Sequence, residues 1–464
     1  MRTNHLDRRE FLAATIAALA ASTITGRASA EPVRKPNVIL IYTDDQGSVD
    51  LGCYGAKDLH TPNLDTLAAE GVRFTQFYAP SPVCSPSRAG MLTGRYPLTA
   101  GVPGNCSSTQ GDPCLPPPEV TIAEMMKAAG YATGHVGKWH LGYSPETMPN
   151  AQGFDYSFGH MGGCIDNHSH FFYWSGPNRH DLWENGTETY RDGEFFGDLM
   201  VEKAGEFIET HQADPFFLYL AINMPHYPYQ GDVDWLRRYR EEGVAYPRDL
   251  YGAFISTLDA RIGQVLAKLD ALQLRDDTIV IFQSDQGHST EERAHFGGGS
   301  AGPYRGCKFS LFEGGIRIPA IIRWPGHVPT GEVRDQIAHG CDWLPTIAAL
   351  CNVPLPDAKL DGKDISEVIR RVDAPTPHDV IHWQLKDGKN AQWAVREGDW
   401  KLIGHPIDPT VAAPLTKEDN LFLVNLAEDI SEMKNLAKDH PDKVDHLRQL
   451  HETWLSAQSE LAAP

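Results

Sequence analysis

The chain is predicted to fold as α/β, with a large, mixed but mostly parallel sheet sandwiched by helices and a smaller antiparallel sheet toward the C-terminus. Three observations predict this. Continuous apolar runs, such as Val38 to Tyr42, Phe216 to Ile222 and Thr278 to Phe282, alternate with amphipathic helical stretches, the pattern of strands buried on both faces. Polar clusters follow those runs at once: Asp44-Asp45, Pro225-His226 and Asp285-Gln286. An open α/β sheet carries its chemistry at the carboxyl ends of its strands. After about residue 356 the texture changes to short strands.

In chain order, residues 1–30 read as a leader. Asp7-Arg8-Arg9-Glu10-Phe11-Leu12 is a twin-arginine pattern, Ala13 to Thr25 an alanine-rich apolar core, and Ala28-Ser29-Ala30 a small-residue cleavage site. The apolar stretch is too short and too weakly hydrophobic to span a bilayer, and no later segment is long enough either, so no stable membrane insertion is expected. The expectation is a soluble exported protein, periplasmic where the host has two membranes. Residues 31–356 are expected to form the main domain. After the Val38 strand, Thr61-Pro62 caps a helix ending near Gly71, and Val72 to Tyr78 and Ala132 to Val136 read as further strands. A helix over Asp198 to His211 precedes the Phe216 strand, and one over Leu250 to Leu272 precedes the Thr278 strand. Residues 357–464 are expected to form the small subdomain, with strands at Val380 to Gln384, Ala391 to Arg396, Trp400 to Ile403 and Leu421 to Asn425. A helix from Asp442 to Ser456 closes it.

The 464 residues carry a formal charge of −20, and removing a leader with four arginines against two acidic residues leaves −22. So acidic a chain is a poor nucleic-acid binder, and any affinity for an anion must come from a local basic pocket. Eight cysteines in an exported chain permit disulfides. Cys106 and Cys114 flank a short loop that one bridge could close, although spacing does not set the pairing.

The richest stretch is Cys84-Ser85-Pro86-Ser87-Arg88-Ala89-Gly90-Met91-Leu92-Thr93-Gly94-Arg95, a loop turning into a helix with a cysteine at its mouth. Pro86 suits the first turn and Gly94 the end. Free amides at the helix start, with Arg88 and Arg95, would hold an anion beside Cys84. Here the chain resembles the formylglycine-dependent (type I) sulfatases of the alkaline-phosphatase-like superfamily, whose Cys-x-Pro-Ser-Arg and Leu-Thr-Gly-Arg elements it matches at every position. A second signature runs from Gly130 to Gly142 and contains Lys138 and His140. Pro225-His226-Tyr227-Pro228 and Lys308 with Phe312 to Pro319 match further elements, and the likeness spans about Pro36 to Leu436.

Two oxygen-rich turns, Thr43-Asp44-Asp45-Gln46-Gly47 and Ser284-Asp285-Gln286-Gly287-His288, supply three carboxylates and an amide with no zinc-type cysteine or histidine pair. They point to calcium, with magnesium second. The resemblance implies that Asp44, Asp45, Asp285 and Gln286 hold this ion together with an oxygen of residue 84. Gln286 stands where the family usually has asparagine. The resemblance further implies that a maturase converts Cys84 to Cα-formylglycine. Its hydrate attacks sulfur with help from Asp285, while Arg88, Lys138 and Lys308 stabilise the charged oxygens. His140 then acts as base to expel sulfate, and His226 or Lys308 protonates the departing alcohol.

The segment from Gly163 to Tyr190 is dense in aromatic and polar groups, among them His168, His170, Trp174, Arg179, His180 and Asp181, and is the candidate specificity loop. Such a mixture suits stacking on sugar faces with hydrogen bonds to hydroxyls, and the expected substrate is a carbohydrate sulfate of the galactose or N-acetylgalactosamine type, although no sequence feature fixes the sugar. Three other readings stay open. They are a broad arylsulfatase, a phosphonate or phosphodiester hydrolase of the same superfamily, and an unmodified exported carbohydrate-binding protein that keeps the Cys84 thiol.

Overall fold

A strand buried on both faces must place apolar side chains at successive positions, and Asn37–Thr43 (β1) does so along its whole length. In the computed structural model, which describes residues 34–174, 178–388, 390–410 and 413–461, Val38, Leu40 and Tyr42 enter one hydrophobic core and Ile39 and Ile41 another. Each fully buried aliphatic side chain contributes about 1.5–3 kcal/mol. The two cores lie on opposite sides of one sheet, because side chains alternate along a strand.

That sheet also contains Val72–Phe74 (β2), Ala132–Lys138 (β3), Tyr156–His160 (β4), Trp183–Glu184 (β5) and Thr187–Glu188 (β6). It is completed by Phe216–Ala221 (β7), Thr278–Ser284 (β8), Ala320–Arg323 (β9) and Glu332–Arg334 (β10). The ten strands run in the order β10-β2-β9-β8-β1-β7-β3-β4-β5-β6. The central block from β8 to β4 is parallel, and antiparallel strands appear toward both edges. Pro62–Ala69 (α1), Phe196–Thr210 (α2) and Arg248–Ala271 (α3) pack on the Ile39 face. Cys84–Thr93 (α4), Ile122–Ala128 (α5) and Trp343–Cys351 (α6) contribute to the Val38 core. Residues from Pro36 onward form one compact unit.

The expected small sheet is Val380–Leu385 (β11), Gln392–Glu397 (β12), Trp400–Gly404 (β13) and Leu421–Asn425 (β14), antiparallel throughout. The helix Pro441–Leu461 (α7) adds Val444 and Leu447 to the core behind it.

Several expectations change in detail. The single strand expected over 72–78 divides. β2 ends at Phe74, while Phe77–Tyr78 pairs with Ala338–His339 in a separate two-stranded sheet. The break falls at polar residues, where Thr75 Oγ1 donates to the Arg334 carbonyl and Gln76 Nε2 to that of Asp335. Thr61 makes no side-chain cap bond at α1. Its hydroxyl accepts from the Gly52 amide and donates to Asp65. Part of the segment expected to be a loop over 163–190 is sheet: Phe171–Phe172 pairs with Arg179–His180, and β5 with β6 extends the main sheet. The 106–114 loop is closed by a Cys106–Cys114 disulfide. The predicted leader lies outside the described residues, among which no helix is long and apolar enough to cross a membrane.

Candidate active site

Strands β8, β1, β7 and β3 are neighbours and parallel, so their carboxyl ends share one edge. Asp285 and Gln286 follow β8, Asp44 and Asp45 follow β1, and His226 follows β7. Lys138 is the last residue of β3, with His140 two beyond. Cross-strand bonds fix these turns. The Asp44 amide donates to the Met224 carbonyl at 3.1 Å and the Asp285 amide to that of Thr43 at 3.0 Å. Asp45 takes a left-handed backbone (φ +59°), and its amide donates to Asp285 Oδ1 at 3.0 Å. Gly137 answers a steric constraint. Its φ is +119°, and a Cβ there would sit 2.0 Å from the Ala221 carbonyl oxygen of the neighbouring strand.

Helix α4 points its first residue, Cys84, into this edge. The Cys84 Sγ lies 3.7 Å from Asp44 Oδ1 and 3.6 Å from the Gln286 amide nitrogen. Arg88, one turn on, donates to Asp285 Oδ2 at 2.9 Å and lies 3.5 Å from Asp44 Oδ1. Lys138 Nζ donates to Asp44 Oδ2 at 2.6 Å and Lys308 Nζ to Asp45 Oδ2 at 2.8 Å. His226 Nε2 is 3.6 Å from the same Asp45 oxygen. One expectation fails. Arg95 is not at the site, because it pairs with Glu119. At the helix start the second amide, Ser85 N–H, is already taken, donating to Asn105 Oδ1 at 3.1 Å.

The charge pattern tests whether a cation fits. Against burial, Lys138 foremost, with Arg88 and Lys308, holds the Asp44 carboxyl well below the usual range. Burial pushes Asp45 up to about 6 despite Lys308, with the charge of Asp44 adding to the rise. Burial and Asp44 push Asp285 well above the usual range despite Arg88. Two of three adjoining carboxyls thus hold protons unusually well, a condition an added divalent cation relieves. The Gln286 amide nitrogen is directed at Asp45 Oδ1, which leaves its own Oε1 buried without a partner. Rotation of the amide exchanges the two ends and would turn a hard oxygen donor toward the carboxylates. One ligand atom each from Asp44, Asp285 and Cys84 lie within 4.8 Å of one another, as do atoms of Asp44, Asp45 and His226. This acidic cluster could hold a divalent metal.

The family described as "Sulfatase" matches residues 36–353, and the one described as "N-sulphoglucosamine sulphohydrolase, C-terminal" matches residues 307–460. The chain belongs to the sulfatase family. It is a sulfuric ester hydrolase. Human arylsulfatase A is 36% identical over 472 residues, covering 92% of this chain and 89% of that protein. The N-acetylgalactosamine-6-O-sulfatase of Bacteroides thetaiotaomicron is 34% identical, covering 90% and 93%. Among solved structures, Ps i-CgsB in complex with k-i-k-neocarrahexaose superposes with a TM-score of 0.80 at 29% identity, covering 91% of this chain and 93% of that one.

Above the charged cluster this sulfatase has a pocket of about 340 Å³ lined by Cys84, His140, His226 and Lys308, among others. Arg88, Lys138 and the three aspartates are buried and do not line it. Of the expected specificity residues, Trp174 and Arg179 reach the wall, where Trp174 stacks on Tyr227 with ring centroids 5.7 Å apart and Arg179 lies over the Phe172 ring. His168, His170, His180 and Asp181 are not brought into it. Asp181 is wholly buried and already accepts from the Tyr143 hydroxyl, the Trp183 indole and the amides of Met161 and Gly162. The sequence reading missed Asn105, which joins the disulfide loop to Ser85 beside Cys84, and Glu291, which lies 3.7 Å from Lys308 Nζ and accepts from the Tyr227 hydroxyl. The paired Cys106 and Cys114 hinted at the first; nothing in the sequence marked the second.

Proposed function

We propose that this sulfatase removes sulfate from a carbohydrate of the galactose or N-acetylgalactosamine type, with a nucleophile made from Cys84 and a calcium ion held by Asp44, Asp45, Asp285 and Gln286. The observation that carries this reading is the Cys84 thiol. It sits at the pocket floor among carboxylates, and burial pushes it up to about 12. Burial disfavours the thiolate, so the thiol itself is a poor nucleophile, and the Cys-x-Pro-Ser-Arg signature around it supports its conversion. Oxidised by a maturase to Cα-formylglycine and hydrated, residue 84 supplies two hydroxyls on one carbon, one to attack sulfur and one to release sulfate. The cation would supply positive charge beside the reacting oxygens, a role that magnesium fills less readily in a flexible all-protein oxygen site.

The chain's own residues do the rest. Lys138, Arg88 and Lys308 bring cationic charge to the oxygens of the bound ester. Burial and the charges of Lys138 and Arg88 hold His140 neutral, and its buried Nδ1 lacks a partner, so it can accept a proton. His226 Nδ1 donates to the Tyr227 carbonyl at 2.7 Å, while burial and Lys308 keep the ring neutral, which leaves Nε2 without a proton to give. Against burial, Asp45 holds Lys308 in the ammonium form. Lys308 is therefore the proton donor to the leaving alcohol. Trp174 and Arg179 supply a stacking face and a cation for the sugar. The reading draws on the relative named N-acetylgalactosamine-6-O-sulfatase and on the solved neighbour holding a neocarrahexaose. Export by the twin-arginine route would let maturation and metal loading precede translocation.

Mass spectrometry of the peptide containing Cys84 tests the nucleophile, because conversion to the aldehyde lowers its mass. Turnover of N-acetylgalactosamine 6-sulfate beside a phosphodiester tests the substrate. An unmodified thiol in active enzyme would overturn the first assignment, and a preference for the phosphodiester the second.

A further inference from the structure

Histidines 170 and 180, left outside the pocket, share an unusual arrangement. They lie at the ends of the short strand pair, His170 just before Phe171–Phe172 and His180 closing Arg179–His180, with Phe171 opposite His180 and Phe172 opposite Arg179. His170 is wholly buried, and the His180 side chain is 5% exposed. His170 Nε2 lies 3.1 Å from the Glu194 carbonyl, and His180 Nδ1 lies 3.0 Å from Glu188 Oε1. A carbonyl and a carboxylate only accept, so each of these nitrogens carries the ring proton and the opposite nitrogen presents a lone pair. Those opposite atoms, Nδ1 of His170 and Nε2 of His180, are both buried and without a partner. Asp192 Oδ1 stands 3.8 Å from His180 Nε2, and ligand atoms of His170, His180 and Asp192 lie within 4.8 Å of one another.

We propose that His170, His180 and Asp192 form a second metal site, for a transition ion of the zinc class, which pins the strand pair carrying Arg179. Two imidazoles and one carboxylate suit zinc and disfavour calcium or magnesium, whose ligands are oxygens. Each imidazole already makes the outer hydrogen bond that fixes the tautomer and orientation of a ligating histidine. Asp192, 65% exposed, is free to swing the remaining distance, and the fourth position opens to water on its side. The rival arrangement, a protonated His180 held between Glu188 and Asp192, needs a hydrogen bond across 3.8 Å and leaves His170 Nδ1 without a partner. A metal here accounts for both nitrogens. It would also hold Arg179, whose guanidinium lies 4.1 Å over the Phe172 ring, at the pocket wall.

The test uses the full chain, stripped with a chelator, refilled with excess calcium so that the oxygen site is taken, and titrated with zinc alone. Elemental analysis should find one zinc per chain, bound at roughly micromolar strength or tighter. Asp192→Asn and His180→Ala should each abolish this zinc, and Glu188→Gln should weaken it by about 10–100-fold. Cobalt in place of zinc should show visible absorption that is absent in Asp192→Asn. Zinc stoichiometry and affinity unchanged in Asp192→Asn and His180→Ala, or no zinc retained by the unsubstituted chain, would overturn the proposal. If His180→Ala does not fold, the exposed Asp192→Asn decides alone. None of these readouts depends on sulfatase activity.

Discussion

Two of the clusters of buried charge among the described residues are built to opposite ends. At the pocket floor, Asp44, Asp45 and Asp285 meet Arg88, Lys138 and Lys308, yet Gln286 Oε1, His140 Nδ1 and Arg88 Nε remain buried without partners. Between the main and the small sheet, Glu313 meets Lys401 at 2.8 Å, and Lys401 meets Glu432 at 3.0 Å. Arg317 lies 3.2 Å from Glu313, Tyr78 donates to it at 2.7 Å, and Arg396 donates to Tyr78. None of Glu313, Lys401 and Glu432 leaves a buried side-chain atom unanswered. A closed network of this sort joins structure, whereas an open one keeps bonding capacity for something that arrives.

The sharpest way to break this comparison is at the open cluster. Cys84→Ala should reduce sulfate-ester turnover to that of a mock preparation, while circular dichroism and the melting temperature stay close to those of the unsubstituted chain. Residual turnover above the mock would remove Cys84 from the chemistry. Chelation should also lower kcat on every sulfate ester, with calcium restoring it. Recovery with magnesium to the same level would move the metal assignment. Lys308→Ala should then separate a proton donor from an anion holder. A sugar alkoxide leaves poorly without a proton, so kcat/KM on a sugar sulfate should fall about 10²–10⁴-fold more than on a nitrophenyl sulfate. His226→Ala should show no such selectivity. Equal losses on both substrates for Lys308→Ala would return it to charge stabilisation alone.

At the closed cluster, changes should move stability and spare chemistry. Lys401→Met removes the cation shared by two buried carboxyl groups and should cost about 3–5 kcal/mol in urea unfolding, with kcat per folded molecule unchanged. A stability loss under about 1 kcal/mol would show that the network joins nothing. The smallest effects are in pH. Against burial, Lys401, Arg317 and Arg396 hold Glu313 at about 2, below its ordinary 4.5. Its contribution is thus full above pH 4.5 and is lost as pH falls from 4.5 toward 2. Burial, with the charge of Glu313 behind it and against Lys401, pushes Glu432 up to about 7. This has the opposite sign: the contribution is present below pH 4.5 and fades as pH rises toward 7. Relative to Glu432→Gln, the unsubstituted chain should lose stability across that rise, by on the order of 1 kcal/mol. A flat difference between the two unfolding curves would refute the shift.

Much of the fold was legible because its signals are local. The apolar runs of β1, β7 and β8 each identify a strand buried on both faces. Cys84, Pro86 and Gly94 mark the ends of α4 within a few residues, and Gly94 takes the left-handed cap at φ +66°. Where local signals were mixed the reading slipped, as at Thr75 and Gln76, whose polar side chains bond to the last residue of β10 and the one after it and divide what looked continuous.

By itself the sequence determined the family, the strands that carry the chemistry and the residue types that follow them, because each rests on neighbours along the chain. Only the tertiary structure decided which of those residues meet. Asp44 and Lys138 are far apart in sequence and share a bond because β1, β7 and β3 lie side by side in parallel. The same ordering sent Arg95 away to Glu119 and buried Asp181 as an acceptor for Tyr143 and Trp183. It also turned His170 and His180 toward Asp192 instead of the pocket. A side chain's charge and shape are local properties, but its partner is set by strand order and helix packing, which depend on burial summed over the whole chain.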